Sequence, residues 1–216
     1  HRTLTNHFVC AACRCLKGLL IMNVAILTFE GFNELDSFIA QGILNRMKGA
    51  GWNVQIACPS ETVTSMNGVT VKAQQPLEFA NNADIVLFGS GIYTRDIAKD
   101  HAILSRLKLN PEKQIIGAQC SGTLLLAVLG LLNGLPACTD LTTKPWVIEA
   151  GVEVLDQPLN AEGNIATAGG CMASQYLATW VIAKVAGKDA AEEATAAVKK
   201  ATSEVTTAAK KAAAAK

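Results

Sequence analysis

From Met22 onward, short continuously apolar runs alternate with stretches in which apolar residues recur every third or fourth position. Residues 23–29 (NVAILTF) predict a buried strand. Leu35, Phe38, Ile39, Ile43 and Met47 follow at helical spacing, and Gly49 and Gly51 predict where that helix ends. The same reading predicts strands at residues 53–59 (NVQIACP) and 114–119 (QIIGAQ), and strands running into glycine turns at 83–91 (ADIVLFGSG) and 163–170 (GNIATAGG). Residues 68–73 predict a small strand or hairpin arm, and residues 136–140 and 151–156 short strands. Helices are predicted at residues 100–107, 121–132 and 173–186, with a helical turn around Trp146. Strands that are apolar throughout and separated by helices belong in a parallel sheet covered on both faces. The expected fold is therefore α/β: a three-layer sandwich with a flavodoxin-like, mostly parallel sheet over residues 22–187. Ligands of such folds bind beyond the carboxyl ends of the strands.

The two ends of the chain are patterned differently. Residues 1–21 carry no globular pattern and read as a leader outside the fold. His7, Cys10, Cys13 and Cys15 in it are soft donors, but no second ligand pair follows at zinc-finger spacing, so no metal is expected. Residues 188–216 are rich in Ala, Lys, Glu and Thr with a thin apolar stripe, which predicts a solvated or fraying helical tail.

Charge narrows the function classes. The formal net charge of +1 gives no electrostatic reason to expect nucleic acid or an acidic membrane as partner. Residues 115–139 and 164–183 lack charge over roughly the ~20 residues a bilayer span needs. Gln119, Ser121, Asn133 and Pro136 interrupt the first, and the second opens with a polar, glycine-containing stretch, so buried strand–turn–helix units are expected instead. Seven cysteines, an odd number at irregular spacing, suit a reducing cytoplasm.

The sharpest candidate for chemistry is Cys120. It stands between a strand ending at Gln119 and a helix beginning near Ser121 with Gly122 in its first turn, a strand–Cys–helix nucleophile elbow. A helix N-terminus there would favour a thiolate, and the Ser121 N–H is placed to donate to a developing anion. A nucleophile needs a proton partner. His1 and His7 lie in the leader, and His101 opens a helix facing solvent, so a Cys–His–Glu triad is not expected. Glu34 and Asp36 follow the first strand at the same end of the sheet, and spacing leaves both open as the acid. Cys58, Cys138 and Cys171 read as buried packing residues, and Trp52, Trp146 and Trp180 as core or interface.

The stretches VAILTFEGFNELDSF, DIVLFGSG, AQCSGTLLLAVLGLLNGLPACTD and GVEVLDQPLNAEGNIATAGGCMASQYLATWVIAKVAG resemble the ThiJ/PfpI superfamily, of class I glutamine amidotransferase-like fold, nearest its isonitrile hydratase branch. The resemblance implies that Cys120 is the nucleophile and Asp36, rather than Glu34, the acid that hydrogen-bonds it. It implies that Ser121 is the hydroxyl residue after the nucleophile, and that Gly91 or Ile92 supplies the second oxyanion N–H. Ser121 stands where the peptidase branch carries His, which argues against that branch. Asp140, where many members carry His, and Glu34 are accessory candidates. The implied activity is cofactor-free hydration of an isonitrile to an N-substituted formamide, with a small-molecule substrate and a homodimer as the usual assembly. The rival expectations are a glyoxalase- or deglycase-like reaction on α-oxoaldehydes and a non-enzymatic cysteine redox sensor.

Overall fold

The computed structural model describes residues 21–196. The expectations for the leader, with its His7, Cys10, Cys13 and Cys15, and for the tail beyond residue 196 lie outside the described residues. The strands are β1 (Met22–Leu27), β2 (Trp52–Cys58), β3 (Thr62–Thr64), β4 (Thr70–Lys72), β5 (Gln75–Pro76), β6 (Ile85–Phe88), β7 (Ile115–Gln119), β8 (Leu159–Glu162) and β9 (Ile165–Ala168). The α-helices are α1 (Glu34–Leu44), α2 (Thr94–Ile97), α3 (His101–Leu104), α4 (Gly122–Val128), α5 (Lys144–Glu149) and α6 (Ser174–Ala186).

Seven strands form one sheet in the order β5-β2-β1-β6-β7-β9-β8, and β3 with β4 makes a separate hairpin. Every pairing in the large sheet is parallel except β8 with β9. The central strands are apolar on both sides because both sides are covered. Side chains alternate along a strand, and Val86 and Phe88 point into one core while Ile85 and Leu87 point into the other. The first core packs Phe88, Ile116 and Ala118 against Leu124, Leu125 and Leu126 of α4. The second packs Val24, Ile26, Ala166 and Ala168 against Ala40, Ile43 and Leu44 of α1 and Leu177, Val181 and Ile182 of α6. Each such fully buried aliphatic side chain contributes about 1.5–3 kcal/mol.

Register sets the position of the site. Leu27 pairs with Phe88, Phe88 with Ala118, and Gln119 with Ala168, so β1, β6, β7 and β9 end at one edge. The loops that follow them all open there.

Several local expectations need correction. Residues 136–140 and 151–156 are not strands; they meet in a single bridge between Ala137 and Val154. The antiparallel β8 was not anticipated: it is half polar and exposed, and only its hairpin with β9 holds it. Helix α4 stops at Val128, where Gly130 takes a φ of +74°, instead of reaching Leu132. Helix α3 is one turn, capped by the Asp100 side chain. After Gly187, residues 188–196 are helical, and Ala191 and Ala194 are buried in the second core, so this start of the tail packs on the body rather than standing in solvent. Among the described residues no helix is long and apolar enough to cross a membrane.

Candidate active site

Strand β7 ends at Gln119, and Cys120 takes a φ of +52°, the single non-glycine residue in the left-handed region among those described. An L-residue there carries of the order of 1–2 kcal/mol of strain. The surroundings hold it: the Cys120 N–H donates to Ala168 O at 2.9 Å, and Thr139 Oγ1 donates to Cys120 O at 2.8 Å. Gly122 lets α4 start directly against β6, since a Cβ at that position would fall on Gly89 O and within 2.9 Å of Phe88 O. The turn thus lifts the Cys120 side chain to the wall of a cavity of about 360 Å³. Met66, Ser90, Gly91, Asp140 and Trp146 also line it.

Asp36 lies in the first turn of α1, whose N-cap Asn33 accepts from the Leu35 N–H at 3.1 Å. Its side chain is fully buried. Ser174 Oγ donates to Asp36 Oδ1 at 3.1 Å, and Ser90 Oγ donates to Oδ2. Burial outweighs these two hydroxyls and raises the Asp36 carboxyl from 3.8 to about 6. No hydrogen bond joins Asp36 to Cys120. Its carboxylate lies within 4.8 Å of the Cys120 Sγ and is held off it by the two serines. The hydrogen-bond partner of the thiol is Asp140, with Sγ to Oδ2 at 3.5 Å. Asp140 is positioned by its neighbours: Thr123 Oγ1 on α4 donates to Cys138 O at 2.8 Å, and Asp140 Oδ1 accepts from the N–H groups of Thr142 and Thr143.

These surroundings reverse the expected ionisation of Cys120. Burial raises its pKa first, and the negative charges of Asp36 and Asp140 raise it further. The Cys120 sulfur therefore keeps its proton at neutral pH. A hydrogen bond with Ser90 pulls the other way, as does the N-terminus of α4, a helix of only seven residues.

The remaining expected residues are distributed as follows. Ser121 Oγ accepts from the Gly91 N–H at 3.2 Å and pairs with Thr94 Oγ1 at 2.8 Å. The Ile92 N–H is unavailable to a substrate anion, because it donates to Gly31 O at 3.0 Å. That carbonyl is brought in by the bridge between Phe32 and Gly91. Glu34 is turned away from the thiol: Ser65 Oγ and Asn67 Nδ2 donate to it at 2.5 and 2.8 Å, and these bonds, the Ser65 one foremost, lower its pKa. His101 is exposed at the start of α3.

Four residues of the site, Cys171, Ser90, Ser174 and Trp146, carry no signal of that role in the local sequence. Cys171 is half-buried, not a packing residue, with its Sγ 3.8 Å from the Cys120 Sγ and accepting from Asn33 Nδ2 at 2.9 Å. Ser90 and Ser174 hold Asp36. Trp146, expected in the core or an interface, forms part of the cavity wall with the Arg95 guanidinium stacked 3.5 Å from its ring centre. Cys171 was findable in principle, since it follows β9 at the same edge as Cys120. Asp36, Cys120 and Cys171 also form a donor set suited to a soft cation, all within 4.8 Å of one another.

The sequence pattern of the DJ-1/PfpI family matches residues 22–184, three quarters of the chain. The chain belongs to the DJ-1/PfpI family. Solved DJ-1/PfpI structures share its fold. Schizosaccharomyces pombe DJ-1 aligns with a TM-score of 0.70 at 20% identity, covering 81% of this chain and 97% of that one. A ThiJ/PfpI family protein from Pseudomonas syringae aligns with a TM-score of 0.74 at 20% identity, covering 83% and 75%. An oxidized Toxoplasma gondii DJ-1 aligns with a TM-score of 0.69 at 21% identity, covering 82% and 97%. No curated protein sequence matches the chain. Membership in the DJ-1/PfpI family places the Cys120 elbow and the Asp36 turn within the matched region.

Proposed function

We propose that this DJ-1/PfpI protein is a cysteine-dependent enzyme that hydrates a small electrophile, with an isonitrile as the substrate class. The observation that carries the reading is the arrangement around Cys120: its sulfur lies on the cavity wall, 3.5 Å from Asp140 Oδ2 and within 4.8 Å of the buried Asp36 carboxyl, which burial raises to about 6. An isonitrile carbon must receive a sulfur and a proton on the same atom. In the proposed reaction the Cys120 sulfur bonds to that carbon while its proton passes through Asp36 or Asp140 to the carbon, giving a thioimidate. Water then adds, the C–S bond breaks, the thiol regains its proton and an N-substituted formamide leaves. Catalysis by such positioned acids and bases is typically worth 10²–10⁴-fold. The Gly91 N–H, held only by Ser121 Oγ at 3.2 Å, and the Ser121 N–H are the proposed donors to the anionic adduct. Glu34 and Ile92 have no part in this scheme.

No metal or organic cofactor is required by these steps. A reducing cytoplasm is the proposed compartment, and a homodimer the proposed assembly. The test is turnover of simple alkyl isonitriles, read as formamide by NMR. Wild type should turn over, Cys120→Ala should not, and kcat/KM should rise as pH passes about 6, where Asp36 becomes able to accept a proton. Turnover undiminished in Cys120→Ala overturns the mechanism. Lactate formed from methylglyoxal, with isonitriles untouched, would assign the same cysteine to oxoaldehyde chemistry instead.

A further inference from the structure

The site holds a second thiol that the hydration scheme leaves unused. Among the described residues, Cys120 and Cys171 are the only cysteines whose sulfurs are in contact, at 3.8 Å. Cys58 and Cys138 are fully buried elsewhere. Cys120 lines the cavity, so a small oxidant that enters it meets the Cys120 sulfur. Cys171 stands beside it, at the head of the 3₁₀ turn Cys171–Ala173 that follows Gly170. Asn33 Nδ2 donates to its sulfur at 2.9 Å, an arrangement that orients Cys171 beside Cys120. To bond, the sulfurs must close from 3.8 Å to about 2.0 Å, and half-buried Cys171 has more room to move than buried Cys120.

We propose that Cys120 and Cys171 form a reversible disulfide when hydrogen peroxide enters the cavity, and that Cys171 is the resolving thiol. In the first step the Cys120 sulfur attacks the peroxide, the O–O bond breaks, and Cys120 sulfenic acid and water form. In the second, the Cys171 sulfur attacks the sulfenic sulfur, the S–O bond breaks, and the hydroxyl leaves as water with the Cys171 proton. Two thiols are oxidised and one peroxide is reduced to two waters. A free thiol reductant reverses the change by exchange. The disulfide removes the nucleophile from the hydration reaction while sparing it from irreversible sulfinic acid.

The experiment is peptide mapping by mass spectrometry on the full chain after stoichiometric hydrogen peroxide, with no substrate present. The expected result is a crosslinked pair of peptides containing Cys120 and Cys171, lighter by two hydrogen atoms, together with loss of iodoacetamide labelling at Cys120, read after denaturation, that dithiothreitol restores. In Cys171→Ser, whose hydroxyl still accepts from Asn33, the same treatment should instead add two oxygen atoms to Cys120, resistant to dithiothreitol. Wild-type Cys120 gaining oxygen while Cys171 stays free to alkylate would overturn the proposal. So would a disulfide from either residue to any other cysteine, or no oxidation at all. Because nothing is turned over in this assay, it stands or falls separately from the isonitrile activity.

Discussion

Replacing Asp36 with asparagine should stabilise the protein at neutral pH while crippling its chemistry. The carboxyl is fully buried, with two serine hydroxyls as its hydrogen-bond partners. Its pKa rises from 3.8 to about 6 on folding, chiefly through burial. An acid whose folded pKa lies above its unfolded one disfavours the fold once ionised. The penalty is absent below about 3.8, grows as pH climbs, and is complete above about 6. A shift of about two units at 1.36 kcal/mol per unit makes it about 3 kcal/mol at pH 7 and above. Asparagine cannot ionise, so it escapes that penalty, but its NH₂ replaces one of the two acceptors and sets back about 1 kcal/mol of hydrogen bonding. The net gain is about 2 kcal/mol, which for a chain of this size is roughly 4–8 °C in Tm. Thermal unfolding followed by circular dichroism at pH 7.5 and at pH 4 would measure it. The gain should appear at pH 7.5 and vanish, or turn to a small loss, at pH 4. A variant no more stable than wild type at pH 7.5, or equally stabilised at both pH values, would refute the reasoning.

Alkylation of Cys120 by iodoacetamide should be slow at neutral pH and accelerate only under alkaline conditions, because burial, Asp36 and Asp140 all hold the proton on sulfur. Asp140→Asn should shift that acceleration to lower pH, and an alkylation profile unmoved by this change would remove Asp140 from the thiol's environment. Gly122→Ala should destabilise the fold by about 1–3 kcal/mol, since its Cβ would press on two backbone carbonyls of the Phe88–Gly89 turn. Urea titration reads this directly, and an unchanged midpoint would mean that α4 can move away from β6 freely.

Much of the fold was legible because its central strands are apolar on both faces. That pattern has one stable solution, and β1, β6, β7 and β9 occupy it. The elbow was legible for a similar reason, as an apolar strand meeting a leucine-rich helix leaves one residue at the corner. What was not legible depends on distance in space. Ser90, Cys171 and Ser174 meet Asp36 and Cys120 only because register brings four strand ends to one edge. The ionisation of Cys120 was misjudged for the same reason. The helix start is visible beside it in the chain, whereas the carboxylates of Asp36 and Asp140 converge on it from elsewhere. Residues 136–140 look like a strand because Ala137 and Cys138 are buried, yet their backbone is held largely by side-chain bonds from Thr123 and Thr167.

The sheet order carries a consequence for how the molecule comes into being. Strand β1 lies between β2 and β6, and its pairing with β6 must wait until the intervening loops, hairpin and β5 have been made. The face of the sheet formed by Val24, Ile26, Ile85 and Leu87 is covered by α1 and by α6 with residues 188–196, and the latter two are synthesised after every strand of that sheet. Non-local pairing of this kind folds slowly, and a nascent chain exposes such a face for as long as it is incomplete. Cys120 gains Asp36, Asp140 and Cys171 as neighbours only once strands distant in the chain have paired, so an unfinished chain carries an ordinary thiol.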